Sequence, residues 1–364
     1  QINSSGGQRY PTVSESIDRA VENGSLIVHY YGHGGEVGWS SERILSNEQI
    51  NNWENLENMP VFITTTCEFT RYDDAKRVSA GEYVHLNPKG GGIALYTSTR
   101  ELNTSDARSL STEFYRHFYE GQSSGDQTMG ELMYKIKNNY ADSNKRRFIL
   151  IGDPNLRFNL PQHSIQIDKI NGADASSVQD TIEALSLMKI EGSVIHANGN
   201  FFSSFNGIAD VSVYDKRTMT ETLNNDQVLD FQGNVIPSIA FEIQKNKIFK
   251  GKVEVVDGLF EVEFMVPKDI NLEIDTGKIS IFATTYSGDE AWGANTGIQV
   301  GGLNQNAAED NEGPDIQLFM NDSSFIDGGI TGHSPDIFAV LSDENGINAV
   351  GTGVGHDITA IVDA

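Results

Sequence analysis

Runs of apolar residues divide the chain into two stretches of different character. In the first, strand-type runs alternate with helical spacing. Leu26-Ile27-Val28-His29-Tyr30-Tyr31 and Val61-Phe62-Ile63-Thr64-Thr65-Thr66 are β-branched and aromatic runs of the buried-strand type. Ile93-Ala94-Leu95-Tyr96 and Phe148 to Ile151 read as a third and a fourth strand. Thr12 to Glu15 has the form of a capping box ahead of Ile17, Ala20 and Val21, and predicts a helix over 13–23; Ser46 to Gln49 repeats the device before Ile50 and Trp53. Leu110, Phe114 and Phe118, then Leu132, Met133, Ile136 and Tyr140 behind Thr128 and Glu131, predict two longer helices. Strand, helix, strand is the unit whose crossover makes the strands parallel. Residues 1–160 therefore read as an α/β domain, a parallel sheet flanked by helices.

Beyond about Pro161 helical periodicity fades and alternation takes over, as in Ile165/Ile167, Val211/Val213 and Val253 to Val266, where Asp257-Gly258 is a hairpin signal between two alternating runs. Residues 161–302 read as a β-sandwich of the Ig-like kind, Gly301 to Pro314 as a Gly/Asn-rich linker, and 315–364 as the start of a further β domain. The strand-like run from Ile358 to Val362 stops near the last residue, so the chain is expected to be a piece of a longer protein.

Composition narrows the classes of function. The formal charge of -25 is spread along the chain, which offers no electrostatic footprint for nucleic acid or anionic lipid. Acidic loops rich in Asp, Asn and Gly are compatible with structural calcium, although solvated turns are the commoner use of such residues and no ligands are assigned. One cysteine excludes an internal disulfide framework, and no Cys/His cluster has zinc-ligand spacing. No apolar run reaches the ~18 residues that span a bilayer.

The chemistry falls at two strand ends. Cys67 follows three threonines and precedes Glu68-Phe69-Thr70, a polar exit that places the thiol at a sheet rim rather than in the core, the ordinary fate of a lone cysteine. His33 lies between Gly32 and Gly34-Gly35, which permit a sharp turn and close substrate approach. In an open α/β sheet, catalytic groups collect at the carboxyl ends of strands, so neighbouring strands bring a thiol and its base to one rim. The N–H groups of Gly34 and Cys67 are then the candidate oxyanion donors. His29 and His33 are ~13 Å apart along an extended strand and cannot share a metal, so His29 is expected to have a hydrogen-bond partner of its own. His85, His117, His163, His196, His333 and His356 lack a nucleophile or glycine context, and the Gly runs at 90–92 and 351–355 lack the lysine of a phosphate-binding loop.

Tyr-Gly-His33-Gly-Gly followed by Thr-Thr-Cys67, each after a strand, resembles the gingipain-type cysteine peptidases of the caspase-like clan. Phe148-Ile-Leu-Ile-Gly-Asp-Pro-Asn-Leu-Arg157, the β-rich tail, Asp343 to Asn348 and Gly353 to Asp357 look most like the members that act as sortases of type IX secretion. The resemblance implies a caspase-like fold, Cys67 as nucleophile, His33 as general base and acid, Gly34 and Cys67 as oxyanion donors, and no required cofactor. It implies cleavage of the carboxyl-terminal signal of secreted cargo through a thioester, at the bacterial cell surface, with outer-membrane secretion components and a lipopolysaccharide acceptor as partners. Glu68 and the exit of the third strand, Thr97, Ser98, Thr99 and Arg100, would line the cleft. Such enzymes have further strands before this point and an acid that orients the histidine; Glu36 is the candidate here. A secreted general cysteine protease and a catalytically degenerate surface-binding protein are the alternatives.

Overall fold

Four strands of the first half make one sheet: β1 (Ile27–Tyr31), β2 (Val61–Thr65), β3 (Ala94–Ser98) and β4 (Phe148–Ile151), in that spatial order. This computed structural model describes residues 2–4, 7–122, 127–139, 143–176, 181–224, 227–307 and 313–343. The chain divides into two compact units, Gln1–Asn159 and Leu160–Ala364.

In the first unit, β1 pairs with β2 and β2 with β3 in parallel, whereas β4 is antiparallel to β3. The expected all-parallel sheet is corrected at β4. Two helices, α4 (Thr104–Gln122) and α5 (Met129–Asn139), separate β3 from β4, and Phe148 at the start of β4 lies opposite Ser98 at the end of β3, so the chain re-enters the sheet at the edge where β3 ended. The helix expected at 13–23 is α1 (Pro11–Glu22), with Tyr10 at its cap and no side-chain cap bond. Proline fits the first turn, where its missing N–H leaves no bond unmade, so the helix starts before Thr12 and the Thr12–Glu15 box is not used. Ser46 does cap α2 (Asn47–Asn52), accepting the Gln49 N–H at 3.4 Å. Thr128 and Glu131 exchange reciprocal bonds of 2.9 and 3.1 Å at the start of α5; Tyr140 lies outside the described residues. An unanticipated helix, α3 (Ala80–Leu86), follows Cys67 and opens with a Ser79/Glu82 capping box.

The sheet is held by aromatic packing. On one face Trp53 stacks on Phe62 at 5.8 Å, beside Trp39, Phe69, Ile50 and Leu95, all buried. Elsewhere in the unit Tyr96 meets Phe114 edge to face at 4.9 Å. Each such ring contributes ~2–3 kcal/mol through burial. Trp53 also donates its indole N–H to Asp18 of α1 at 2.8 Å. β1, which reads as a fully buried strand, is an edge strand among the described residues, and Ile27, Val28 and Tyr30 are only half-buried because it has one neighbour.

The second unit is built from strands among its described residues. Its largest sheet runs Lys247–Val255, Gly207–Tyr214, Lys278–Thr285, Glu290–Asn295, His163–Ile170, Leu187–Ile195, Leu259–Met265, around a core that includes Ile190, Val211, Phe205 and Ile281. Asp257 and Gly258 have φ of 50° and 78°, as a primed turn requires. Beyond the Val256–Leu259 bridge, however, the two arms pair with other strands, Gly207–Tyr214 and Leu187–Ile195. The expected linker begins later than Gly301, because Gln299–Leu303 is a strand of a second, three-stranded sheet. Asp315–Met320 and Ile337–Ser342 form an antiparallel pair; Ile358 to Val362, Gly353 to Asp357 and Glu344 to Asn348 lie outside the described residues. Among the described residues no helix is long and apolar enough to cross a membrane.

Candidate active site at two strand ends

The last paired rung between β1 and β2 is Tyr31 opposite Thr65. His33 and Cys67 each lie two residues further on, at the carboxyl edge of the same parallel pair. His33 is exposed, and its carbonyl accepts the Tyr30 hydroxyl at 2.6 Å and the Ser40 N–H at 2.7 Å. Its ring makes no hydrogen bond among the described residues. The chain then turns through a hairpin in which Gly34 faces Trp39 and Gly35 faces Gly38. The Ser40-to-His33 bond and the Gly35–Gly38 rung flank Gly34, so Gly34 occupies a non-hydrogen-bonded position and its N–H points out of the ladder. Tyr30 stacks on Trp39 at 4.5 Å and anchors this hairpin to the sheet; burial, followed by the charge of Glu42, pushes the Tyr30 phenol up to about 12.

Cys67 is half-buried, and its thiol reaches the Leu102 carbonyl at 3.5 Å. On one side, the Thr66 carbonyl accepts the Ser98 hydroxyl. On the other, the Glu68 N–H donates to Arg100 at 3.3 Å and the Thr70 N–H to Ser98 at 3.0 Å, which lays the Cys67 turn along the exit of β3. Glu68 adopts φ of 48°, a left-handed conformation that a non-glycine residue holds only when its surroundings impose it. The two exits touch: a methyl group on Gly34 would lie 2.6 Å from Thr66 Oγ1, so only glycine permits this approach. The Cys67 N–H has no acceptor among the described residues, leaving it and the Gly34 N–H as donors at the rim.

The expected cleft residues separate into two groups. Thr97 and Ser98 are 0% exposed, and this corrects their assignment to the cleft lining. Thr97 Oγ1 lies 2.7 Å from Thr64 Oγ1 and 2.9 Å from Thr70 Oγ1, tying the Cys67 turn to two strands from inside. Thr99, Arg100 and Glu68 are partly exposed; Arg100 is paired with Asp73 and Glu68 with Arg71 at 3.1 Å. Glu36 is not placed to orient His33, because one carboxylate oxygen is held by Arg71 at 3.1 Å and the other by Arg77 at 2.7 Å. His29 has its own partner, Ser111 Oγ at 3.2 Å, which in turn lies 2.8 Å from Thr65 Oγ1; burial lowers the pKa of His29. Arg71 and Arg77 escape sequence reasoning, since a charge-rich stretch after Cys67 does not disclose a partner 35 or 41 positions upstream. Among the described residues no group of three or more His, Cys, Asp or Glu is arranged to hold a metal ion.

Solved structures similar to this chain include dimeric latent PorU from Porphyromonas gingivalis, at 32% identity over 74% of this chain and 25% of that one, with a TM-score of 0.42. The Arg-specific cysteine proteinase gingipain R (RgpB) aligns at 14% identity over 79% of this chain and 55% of its own, TM-score 0.37. The complex of Porphyromonas gingivalis RgpB pro- and mature domains aligns at 13% identity over 79% and 57%, TM-score 0.33. The chain thus spans a quarter of the PorU chain and little more than half of the gingipain chains. No curated protein matches it. Residues 1–159, the unit that carries both strand ends, match the model of peptidase family C25.

Proposed function

We propose that the chain carries a cysteine peptidase centre with Cys67 as nucleophile and His33 as general base and acid. The observation that carries this reading is the shared register of the two strand ends, with Gly34 packed on Thr66 between them. The thiol turns from the Leu102 carbonyl, His33 takes its proton, and the thiolate attacks the scissile carbonyl carbon. The Gly34 and Cys67 N–H groups receive the developing oxyanion. The C–N bond then breaks, the leaving amine takes the proton from His33, and a thioester remains. Water, or the nucleophile of an acceptor, releases the new carboxyl end and restores the thiol.

The substrate in this proposal is the carboxyl-terminal signal of secreted cargo, removed at the cell surface, with outer-membrane secretion components as partners and lipopolysaccharide as the acceptor. Glu68, Thr99 and Arg100 border the scissile position, and the second unit, as an Ig-like β-sandwich, presents cargo. The His33 ring, which lacks an orienting partner among the described residues, favours a second reading: a surface-binding module with an inert thiol.

Reacting the full chain with a peptide electrophile and following cleavage of a signal-bearing substrate separates the two. Turnover should fall by ~10³-fold or more in Cys67→Ala, and adduct formation on Cys67 should be lost in His33→Ala. Unchanged turnover by Cys67→Ala refutes the peptidase reading. Degradation of unrelated proteins at equal rates would identify a general protease instead.

A further inference from the structure

The carboxyl edge of the sheet carries two ion-pair braces of different burial. Arg100 and Asp73 link the third strand's exit to the loop after Cys67, but their side chains are 41% and 49% exposed, so water and salt screen them. The other brace is deeper. The Glu36 side chain is 10% exposed at the tip of the His33 hairpin, and its oxygens meet Arg71 at 3.1 Å and Arg77 at 2.7 Å, both from the loop after Cys67. Arg71 also reaches Glu68 at 3.1 Å, so carboxylate, guanidinium and carboxylate run in series from three residues past His33 to the residue after Cys67. The Glu36 carbonyl accepts the Ala80 N–H at 2.8 Å, which fixes the same tip to the start of α3.

We infer that Glu36 is a positioning residue, a clamp that holds the His33 hairpin and the Cys67 loop in one register through Arg71 and Arg77. It does not touch the imidazole. Removing its charge takes the one buried end out of both ion pairs: the Arg71 and Arg77 side chains, 37% and 57% exposed, turn to water, and the hairpin tip loses its charged tie to the loop. This inference rests on the peptidase reading for its catalytic consequence, but the clamp has a readout of its own.

The test compares Glu36→Gln with Glu54→Gln, which breaks an exposed ion pair to Lys89. Hydrogen exchange should accelerate by at least tenfold in Glu36→Gln at both the 33–40 hairpin and the 68–80 loop, with no such change in Glu54→Gln. In a wild type whose turnover depends on Cys67, kcat should fall ~10–100-fold while KM stays within about threefold, since a displacement of about 1 Å costs ~10²-fold. Unchanged exchange at both loops overturns the clamp whatever the enzyme does. Faster exchange with kcat unchanged overturns its role in positioning. A wild type without Cys67-dependent turnover refutes the peptidase reading and leaves exchange to decide the clamp.

Discussion

Gly34→Ala gives a direct measure of how closely the two strand ends must approach. The added methyl would lie 2.6 Å from Thr66 Oγ1, 3.0 Å from the Gly38 carbonyl oxygen and 3.3 Å from Thr66 Cγ2. Ordinary contact begins near 3.4 Å, so the pair must separate by roughly 0.8 Å along the first of these directions. Thr66 cannot yield: it is 1% exposed, β-branched, and its carbonyl is held by Ser98. The displacement therefore falls on the His33 hairpin. A shift of that size lowers kcat/KM by ~10²-fold, or about 2.7 kcal/mol of transition-state stabilisation. Thr66→Ala removes the two Thr66 contacts. It also deletes a buried hydroxyl that has no partner among the described residues, so on its own it should be mild. The double variant should recover tenfold or more of the lost kcat/KM, a coupling of about 1.4 kcal/mol or more. Steady-state cleavage of a signal-bearing substrate by all four proteins, with melting curves alongside, closes the cycle. Equal losses in Gly34→Ala and in the double variant would refute the argument, as would an unaffected single variant.

Two further outcomes follow from the threonine and histidine network beneath the site. Thr97→Val keeps the shape of a fully buried residue but removes the hydroxyl between Thr64 and Thr70; it should cost ~1–3 kcal/mol and lower the melting temperature by several degrees. A raised KM at unchanged melting temperature would instead mean that Thr97 meets substrate. His29, whose pKa is lowered by burial, favours folding in its neutral form: its contribution is present above the unfolded value of 6.5 and is lost as the pH falls through the folded value. His29→Gln should therefore flatten the acid limb of a stability–pH curve below 6.5, and an unchanged limb would place the acid sensitivity elsewhere.

What was legible in the sequence depended on how local the cause is. Ser46, Thr128 and Glu131 act within one turn, so their helices start where the residues say. Ser79 and Glu82 carry the same local signal for α3, behind a charged stretch that shows no apolar periodicity. Pro11 shows one local rule overriding another, since ring geometry at the first turn outranks a box one residue later. Strand ends were legible because an apolar run that breaks at Gly-His-Gly-Gly or at Cys-Glu has few other structures available. Their neighbours were not. Thr97 lies within a strand that is buried on both faces and is sealed beneath the Cys67 turn by the path of residues 67–70, whereas Arg100, two residues past the strand's end, is partly exposed. Glu36 is the sharpest case. Its place three residues after His33 suggests an acid acting on the imidazole, but a hairpin turns it away, and arginines distant in sequence take both its oxygens. Proximity along the chain identified the residue, and only the fold supplies its partner. The acidic balance of the chain sharpens this point: with carboxylates in excess, it is the few arginines, Arg71 and Arg77 among them, that select which acid becomes structural.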